Sequence, residues 1–246
     1  MTNPSHFGEA LYMRIRTVPV QDSERSGWGG ARKGSGPKRK TFRRNVRHEK
    51  RERFDKTSIC HVTLRMAPDV PTLRTKRRVR AIENVFRAKK AYRSMSLDHY
   101  SVQGDHLHLV VEVDSHEDLA KGMQSLKGSM AHRLNAFFGR SGSLFADRYH
   151  VVLVRGVNQT RNVMNYVLKN AQKHGIQIPD DELDPGSSAR FYKGFWGRLG
   201  EKVTKDSPVM PPRSWYLMDG PYMIGGISTR YTPPLCRRLG SVRSSV

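Results

Sequence analysis

The sequence predicts an α+β domain: an antiparallel sheet with two helices on one face, followed by an added helix that carries a tyrosine. Three observations lead there. Apolar residues alternate with period two in four short runs, they recur at helical spacing in the stretches between, and the resulting order is β-α-β-β-α-β-α. The first six elements follow the split β-α-β, ferredoxin-like pattern.

The first strand begins near Ser58. Ile59, His61, Thr63 and Arg65 alternate there with Cys60, Val62, Leu64 and Met66, leaving one clearly apolar face, and Pro68 and Pro71 end the run. From Arg74 to Arg93, Val79, Ile82, Val85 and Phe86 recur at helical spacing opposite a face rich in Lys and Arg. Leu97 to Val102 reads as a second strand, Gly104-Asp105 as a tight turn and His106 to Val113 as a third strand. Asp114-Ser115 supplies an N-cap, with Asp118 in the capping-box position after Ser115. Leu119, Met123, Leu126 and Met130 mark the helix that follows, running to Phe137 or Phe138 and ended by Gly139 to Gly142. A fourth strand, Tyr149 to Arg155, leads to a helix opened by Asn158 or Thr160 and closed by Gly175. Val163, Val167 and Ala171, with Met164 and Leu168, form its apolar stripe.

The chain divides into a disordered basic arm over residues 1–56, the domain over 57–175, and a partly ordered C-terminal extension over 176–246 that packs on the core in places. From Arg32 to Lys56 there are twelve basic and three acidic residues, and few apolar ones to offset the entropy of ordering the backbone. Lys38, Arg39, Lys40, Arg43 and Arg44 make this arm a candidate for binding nucleic acid without sequence choice. Over the whole 246 residues, 44 Lys and Arg stand against 22 acidic side chains, a formal charge of +22. A surplus of that size favours a polyanionic partner, nucleic acid or an anionic membrane surface. No apolar run approaches the roughly 18 residues that span a bilayer, and the N-terminus lacks the apolar core of a signal peptide. The expected setting is the cytoplasm, in association with the nucleoid. The two cysteines, Cys60 and Cys236, are far apart and in no C-x-x-C pair, which argues against a disulfide framework or a Cys-based zinc site; Cys60 is expected to be a buried thiol.

The chemistry-bearing residues fall in two places. In the third strand Leu107, Leu109, Val111 and Val113 face the helices, while His106, His108 and Glu112 point the other way. Two imidazoles two residues apart on one strand face can reach one divalent ion, although the same pair also suits a polar surface. Val110 stands where a metallo-β-lactamase-like H-x-H-x-D motif would need its Asp. On the last helix, Tyr166 and Asn170 lie at i and i+4 on one flank. A phenol with an ordinary pKa near ~10 is a poor nucleophile. A nearby divalent metal can polarise the phosphate it attacks, and an amide oxygen one turn on can complete the metal's ligand set. Taken alone, Tyr166 equally suits an amphipathic residue at the core edge.

As an ordered set these stretches resemble the single-tyrosine HUH transposases, specifically the REP-associated tyrosine transposases (transposase IS200-like). The residues that carry the likeness are Ser101-Val102-Gln103-Gly104-Asp105-His106-Leu107-His108-Leu109, then Phe145-Ala146-Asp147-Arg148-Tyr149-His150, then Tyr166-Val167-Leu168-Lys169-Asn170-Ala171-Gln172-Lys173-His174. The likeness spans roughly residues 58–198, ending near Asp184-Pro185-Gly186-Ser187-Ser188. It implies that His106, His108 and Asn170 bind Mg²⁺ or Mn²⁺ and that Tyr166 attacks the scissile phosphate. The products would be a 5′-phosphotyrosine link and a 3′-OH, and a second 3′-OH would reseal the strand. The implied substrate is single-stranded DNA bearing a hairpin, and the implied state a monomer or homodimer. Some relatives have Gln where this chain has Asn170.

Further DNA contacts are expected from Arg148 and Tyr149, by charge and stacking, and from Arg77, Arg78, Arg87 and Lys90 on the first helix. Lys169 is a candidate to neutralise phosphate beside Tyr166. His61, His99, His132 and His150 read as structural or surface residues. The rival readings are a rolling-circle initiator or relaxase-type nickase, because Tyr166-Val167-Leu168-Lys169 meets a Tyr-x-x-Lys pattern, and a non-catalytic domesticated binder of structured DNA or RNA. No P-loop accompanies the site as an initiator's helicase would require, and a zinc hydrolase lacks Asp or Cys ligands at suitable spacing.

Overall fold

A computed structural model describes residues 51–92, 94–179, 182–195, 200–220 and 226–227. The arm residues Lys38, Arg39, Lys40, Arg43 and Arg44 lie outside them, as does Cys236. The elements in chain order are β1 (Ser58–Arg65), α1 (Lys76–Lys89), β2 (Ala91–Tyr92), β3 (Met95–Val102), β4 (His106–Val113), α2 (His116–Phe138), β5 (His150–Val154), α3 (Gly156–Leu168), α4 (Asn170–Lys173), a 3-10 turn (Ala189–Phe191) and α5 (Trp215–Met218). The strands form one sheet in the order β2-β3-β4-β1-β5, and every pairing is antiparallel. With the two-residue β2 set aside, this is the split β-α-β arrangement. Each of α1 and α2 crosses over a strand that sits between the two it connects.

Alternation sorts the side chains into two layers. Cys60, Val62, Leu64, Leu107, Leu109, Val111 and Val113 pack under α1 and α2, meeting Ile82, Val85, Phe86, Met123, Leu126 and Met130. On the opposite face Ile59 and Val110 pack with Val154 and with Val163, Met164, Val167 and Leu168 of α3. Burial raises the Cys60 thiol to about 12, so it stays protonated and inert.

Local signals explain the ends of most elements. Ser115 caps α2 by accepting from the Asp118 N–H, and Gly139, at φ 63°, ends it in the left-handed conformation that glycine adopts without a Cβ penalty. The tyrosine helix departs from expectation in two ways. It starts at Gly156, and Thr160 lies inside it, donating its hydroxyl to the Gly156 carbonyl; neither Asn158 nor Thr160 is its cap. It also breaks at Lys169, where φ −110° and ψ 16° leave the helical region, and resumes for one turn as α4.

Residues after 182 lie against the sheet. Ser101 bridges to Ser187 along the β3 edge, and the Val102 N–H donates to the Gly186 carbonyl, which covers backbone groups that would otherwise template pairing with another chain. Asp184, whose side chain is 1% exposed, accepts two hydrogen bonds from Arg74. The backbone N–H groups of Arg213 and Ser214 each donate to the Glu112 carboxylate at 2.6 Å, which satisfies a fully buried charge on the histidine face of β4. No helix among the described residues is long and apolar enough to cross a membrane.

Candidate active site

The centre of the site is set by strand register. β1 and β4 pair with Thr63 opposite His108 and His61 opposite Val110, so His61, Thr63, His106 and His108 share one face. The Met66 N–H donates to the Asp105 carbonyl and the Gln103 N–H to the His106 carbonyl, holding the start of β4 against the end of β1.

His108 is 3% exposed. Its Nδ1 lies 3.0 Å from His61 Nε2 and 3.2 Å from Thr63 Oγ1, and its Nε2 is buried without a hydrogen-bond partner. Burial, reinforced by His61, His106, His174 and Lys173, pulls the His108 pKa down to about 2 and keeps the ring neutral. Burial and His150 bring His61 down to about 4. His106 Nδ1 lies 2.7 Å from Asp105 Oδ1, and that hydrogen bond holds the Asp105 carboxyl below the usual carboxylate range. The His106 and His108 rings stand nearly perpendicular, 4.8 Å apart between centroids. Both histidines thus engage Nδ1.

α3 brings Tyr166 over this cluster. Its ring centroid is 5.1 Å from that of His108 and 5.8 Å from that of His61, and Lys173 Nζ sits 4.4 Å from the tyrosine ring centroid. His174, at the end of α4, places its ring 5.2 Å from His106; burial, then His106 and Lys173, lower its pKa. Asn170 is fully buried, and neither atom of its amide has a hydrogen-bond partner.

Buried polar atoms left unpartnered cost roughly 1–3 kcal/mol each, so they call for an occupant. The His108 Nε2 and the Asn170 amide are such atoms. With the Nε2 of His106, whose Nδ1 is tied to a carboxylate in the manner of a supported metal ligand, the donor set is two imidazole nitrogens and an amide oxygen. The residues fit a divalent ion. Among the described residues no group of three or more His, Cys, Asp or Glu side chains could hold one, so this donor set would depend on the neutral amide of Asn170.

Sequence reasoning gave no site role to Thr63, Lys173 or His174 and read His61 as a structural or surface residue. Each is near the centre through register or through the helix break, which local patterns do not encode. Between Tyr166 and Asn170 the helix is interrupted at Lys169, so the two residues lie on separate helical segments, α3 and α4.

The expected DNA contacts separate. Tyr149 is buried in the core, and the Arg51 guanidinium lies 3.7 Å from its ring centroid, which leaves no open face for a base. Arg87 donates to the Asp206 carbonyl and Lys90 to the carbonyls of Lys205 and Ser207, so both clasp the extension. Lys169 is buried at the helix break, not an exposed helix lysine. Arg148 is half-buried in the loop before β5, its N–H donating to the Asp147 carboxylate. Arg77 is exposed and Arg78 half-buried, both in the first turn of α1.

Residues 56–170, which hold this arrangement apart from Lys173 and His174, match the family described as transposase IS200 like. Over this stretch the chain is similar to the IS200-like transposase family. The histidine strand and Tyr166 both fall inside the matched segment. No curated protein matches the chain. Among solved structures, a REP-associated tyrosine transposase bound to a REP hairpin aligns with a TM-score of 0.48 at 16% identity, covering 58% of this chain and 82% of that one. A protein from Deinococcus radiodurans R1, provisionally described as a transposase, aligns with a TM-score of 0.36 at 15% identity, covering 52% of this chain and 98% of that one.

Proposed function

We propose that this IS200-like transposase domain cleaves and rejoins hairpin-bearing single-stranded DNA, with Tyr166 as the nucleophile. The observation that carries the reading is the placement of the Tyr166 ring 5.1 Å from His108, a ligand-competent imidazole whose Nε2 is buried without a partner. His106, His108 and Asn170 would hold Mg²⁺ or Mn²⁺. When bound, that ion would supply Lewis-acid polarisation of the scissile phosphate.

The chain's own residues account for the rest. Tyr166 Oη forms a bond to phosphorus while the bond from phosphorus to the 3′ oxygen breaks, leaving a 5′-phosphotyrosine and a free 3′-OH. The proton lost by the phenol is matched by the one the departing 3′ oxygen gains. Lys173, whose Nζ lies 4.4 Å from the tyrosine ring centroid, attracts the phosphate. Rejoining reverses these bonds with an incoming 3′-OH, so the phosphodiester energy stays in the tyrosyl link and no nucleotide cofactor is needed. The charge of +22 supports a polyanionic substrate and a cytoplasmic, nucleoid-associated setting.

The test is incubation with a hairpin-bearing strand and Mg²⁺, followed by denaturing electrophoresis. Wild type should give a covalent protein–DNA band, and Tyr166→Phe should lose it while still binding. Binding by wild type without any link would favour a non-catalytic binder. A band on nicked supercoiled duplex alone would favour an initiator.

A further inference from the structure

Of the basic residues at the two ends of α1, Arg78 donates to the Thr72 carbonyl at 2.6 Å, and Arg77 is, among the described residues, engaged only with an aromatic ring. At the C-terminal end Arg87 and Lys90 are bound to backbone carbonyls. At the N-terminal end, Arg77 lies 5.3 Å from the ring centroid of Phe137 and Arg78 lies 5.6 Å from that of Phe138. Among the described residues no carboxylate pairs with either arginine. With Pro71 and Thr75 these four side chains line a groove of about 350 Å³ that opens to solvent.

Phe137 is 37% exposed in the last turn of α2, whereas Leu134, one turn earlier, is fully packed. Core packing therefore gives no reason for an aromatic ring at 137. Guanidinium groups over exposed aromatic rings form a surface that takes flat, π-faced, negatively flanked ligands. Bases stack on the ring, phosphates meet the arginines, and the pairing tolerates any sequence.

The groove is also well placed. The segment leading into α1 is tied to the turn before β4, with the Met66 N–H donating to the Asp105 carbonyl and the Leu73 N–H to the Gly104 carbonyl. The groove and His106 therefore lie at the same end of the sheet, on opposite faces. A single strand crossing that rim can occupy both.

We propose that this groove holds an unpaired base of the DNA strand, stacked on Phe137, with Arg77 and Arg78 on its flanking phosphates. The inference rests on the DNA-processing reading above and adds a contact remote from the bond that breaks. On entry of the base, Arg77 exchanges its ring contact for a charge-assisted hydrogen bond to phosphate.

The test uses the full chain and hairpin-bearing strands carrying 2-aminopurine at successive unpaired positions. Wild type should quench fluorescence at one position, and Phe137→Leu, which keeps apolar bulk without a π-face, should not. Phe137→Leu should weaken binding about 5- to 150-fold, the span that loss of one stacked base gives. Arg77→Gln, at an exposed position, should weaken it and flatten its salt dependence. At saturating DNA Phe137→Leu should still form the Tyr166 adduct at the wild-type level. Equal affinity and equal quenching in wild type and Phe137→Leu, with adducts intact, would overturn the groove alone. Wild type that neither binds nor links the strand would overturn the DNA reading and the groove's ligand with it.

Discussion

Leucine at position 61 should weaken divalent-metal binding by about 10-fold, the lower end of what losing a supporting partner costs a metal ligand. A neutral imidazole that gives Nε2 to a metal carries its proton on Nδ1, and that proton needs an acceptor. In this chain His108 Nδ1 has two candidates, His61 Nε2 at 3.0 Å and Thr63 Oγ1 at 3.2 Å. One proton cannot serve both well, and the shorter contact is to His61. Removing the imidazole leaves Thr63 as a substitute, which places the single variant at the low end. Removing both acceptors, in His61→Leu with Thr63→Val, should approach about 100-fold. His61→Gln restores an acceptor oxygen and should recover most of the affinity. The assay is calorimetric titration of Mn²⁺ into proteins that also carry Tyr166→Phe, so no turnover intervenes. Mn²⁺ suits a site with imidazole nitrogens better than Mg²⁺ does. Urea melts would establish that each variant is folded at the titration temperature. If folded His61→Leu and the double variant bind Mn²⁺ as tightly as the parent, His108 is not oriented from β1 and the reasoning fails.

Two further predictions concern the ties between the sheet and the extension. Asp184→Ala should cost about 3–5 kcal/mol of unfolding free energy, because it strands the largely buried Arg74 and the Gly186 N–H that the carboxylate now satisfies. A loss below about 1 kcal/mol in urea melts would mean that Arg74 relaxes to solvent at little cost. His99 is buried beside the Ser188 hydroxyl and the Tyr192 ring, and burial pushes its pKa from 6.5 down to about 3. Between those values the unfolded chain binds a proton that the native state refuses. Stability should therefore fall with falling pH across that window, by at most about 1.4 kcal/mol per pH unit. The difference between wild type and His99→Gln isolates this slope from Asp98, whose raised pKa acts with the opposite sign. A flat difference curve from pH 7 to 4 would refute it.

The order of strands and helices was legible because each element announces itself locally. Alternation in Ile59 to Met66 and in His106 to Val113 assigned faces that the structure keeps, and Ser115 and Gly139 marked the ends of α2. What was not legible depends on pairing. The likeness between His61 and any other buried strand histidine ends only when register sets it diagonal to His108. The break at Lys169 follows no glycine or proline. Val163, Val167, Asn170 and Ala171 are all buried on either side of it, and no local signal marks it. Tyr149 misled for a related reason: an aromatic beside an arginine reads as a stacking platform, yet its ring belongs to the core and Arg51 covers it.

Glu112 carries the same argument into the extension. It shares the histidine face of β4, and a buried carboxylate there would be costly without donors. Its donors are the main-chain N–H groups of Arg213 and Ser214, about a hundred residues away. Backbone donors have no side-chain signature, so nothing in the sequence could pair them with Glu112. The strand that presents His106 and His108 is thus held at its far end by the extension, at its near end by the turn before it, and at its centre by β1. Rigidity of that kind is what the ligand pair proposed for this strand would need, because two ligands must be held within a fraction of an ångström to share an ion.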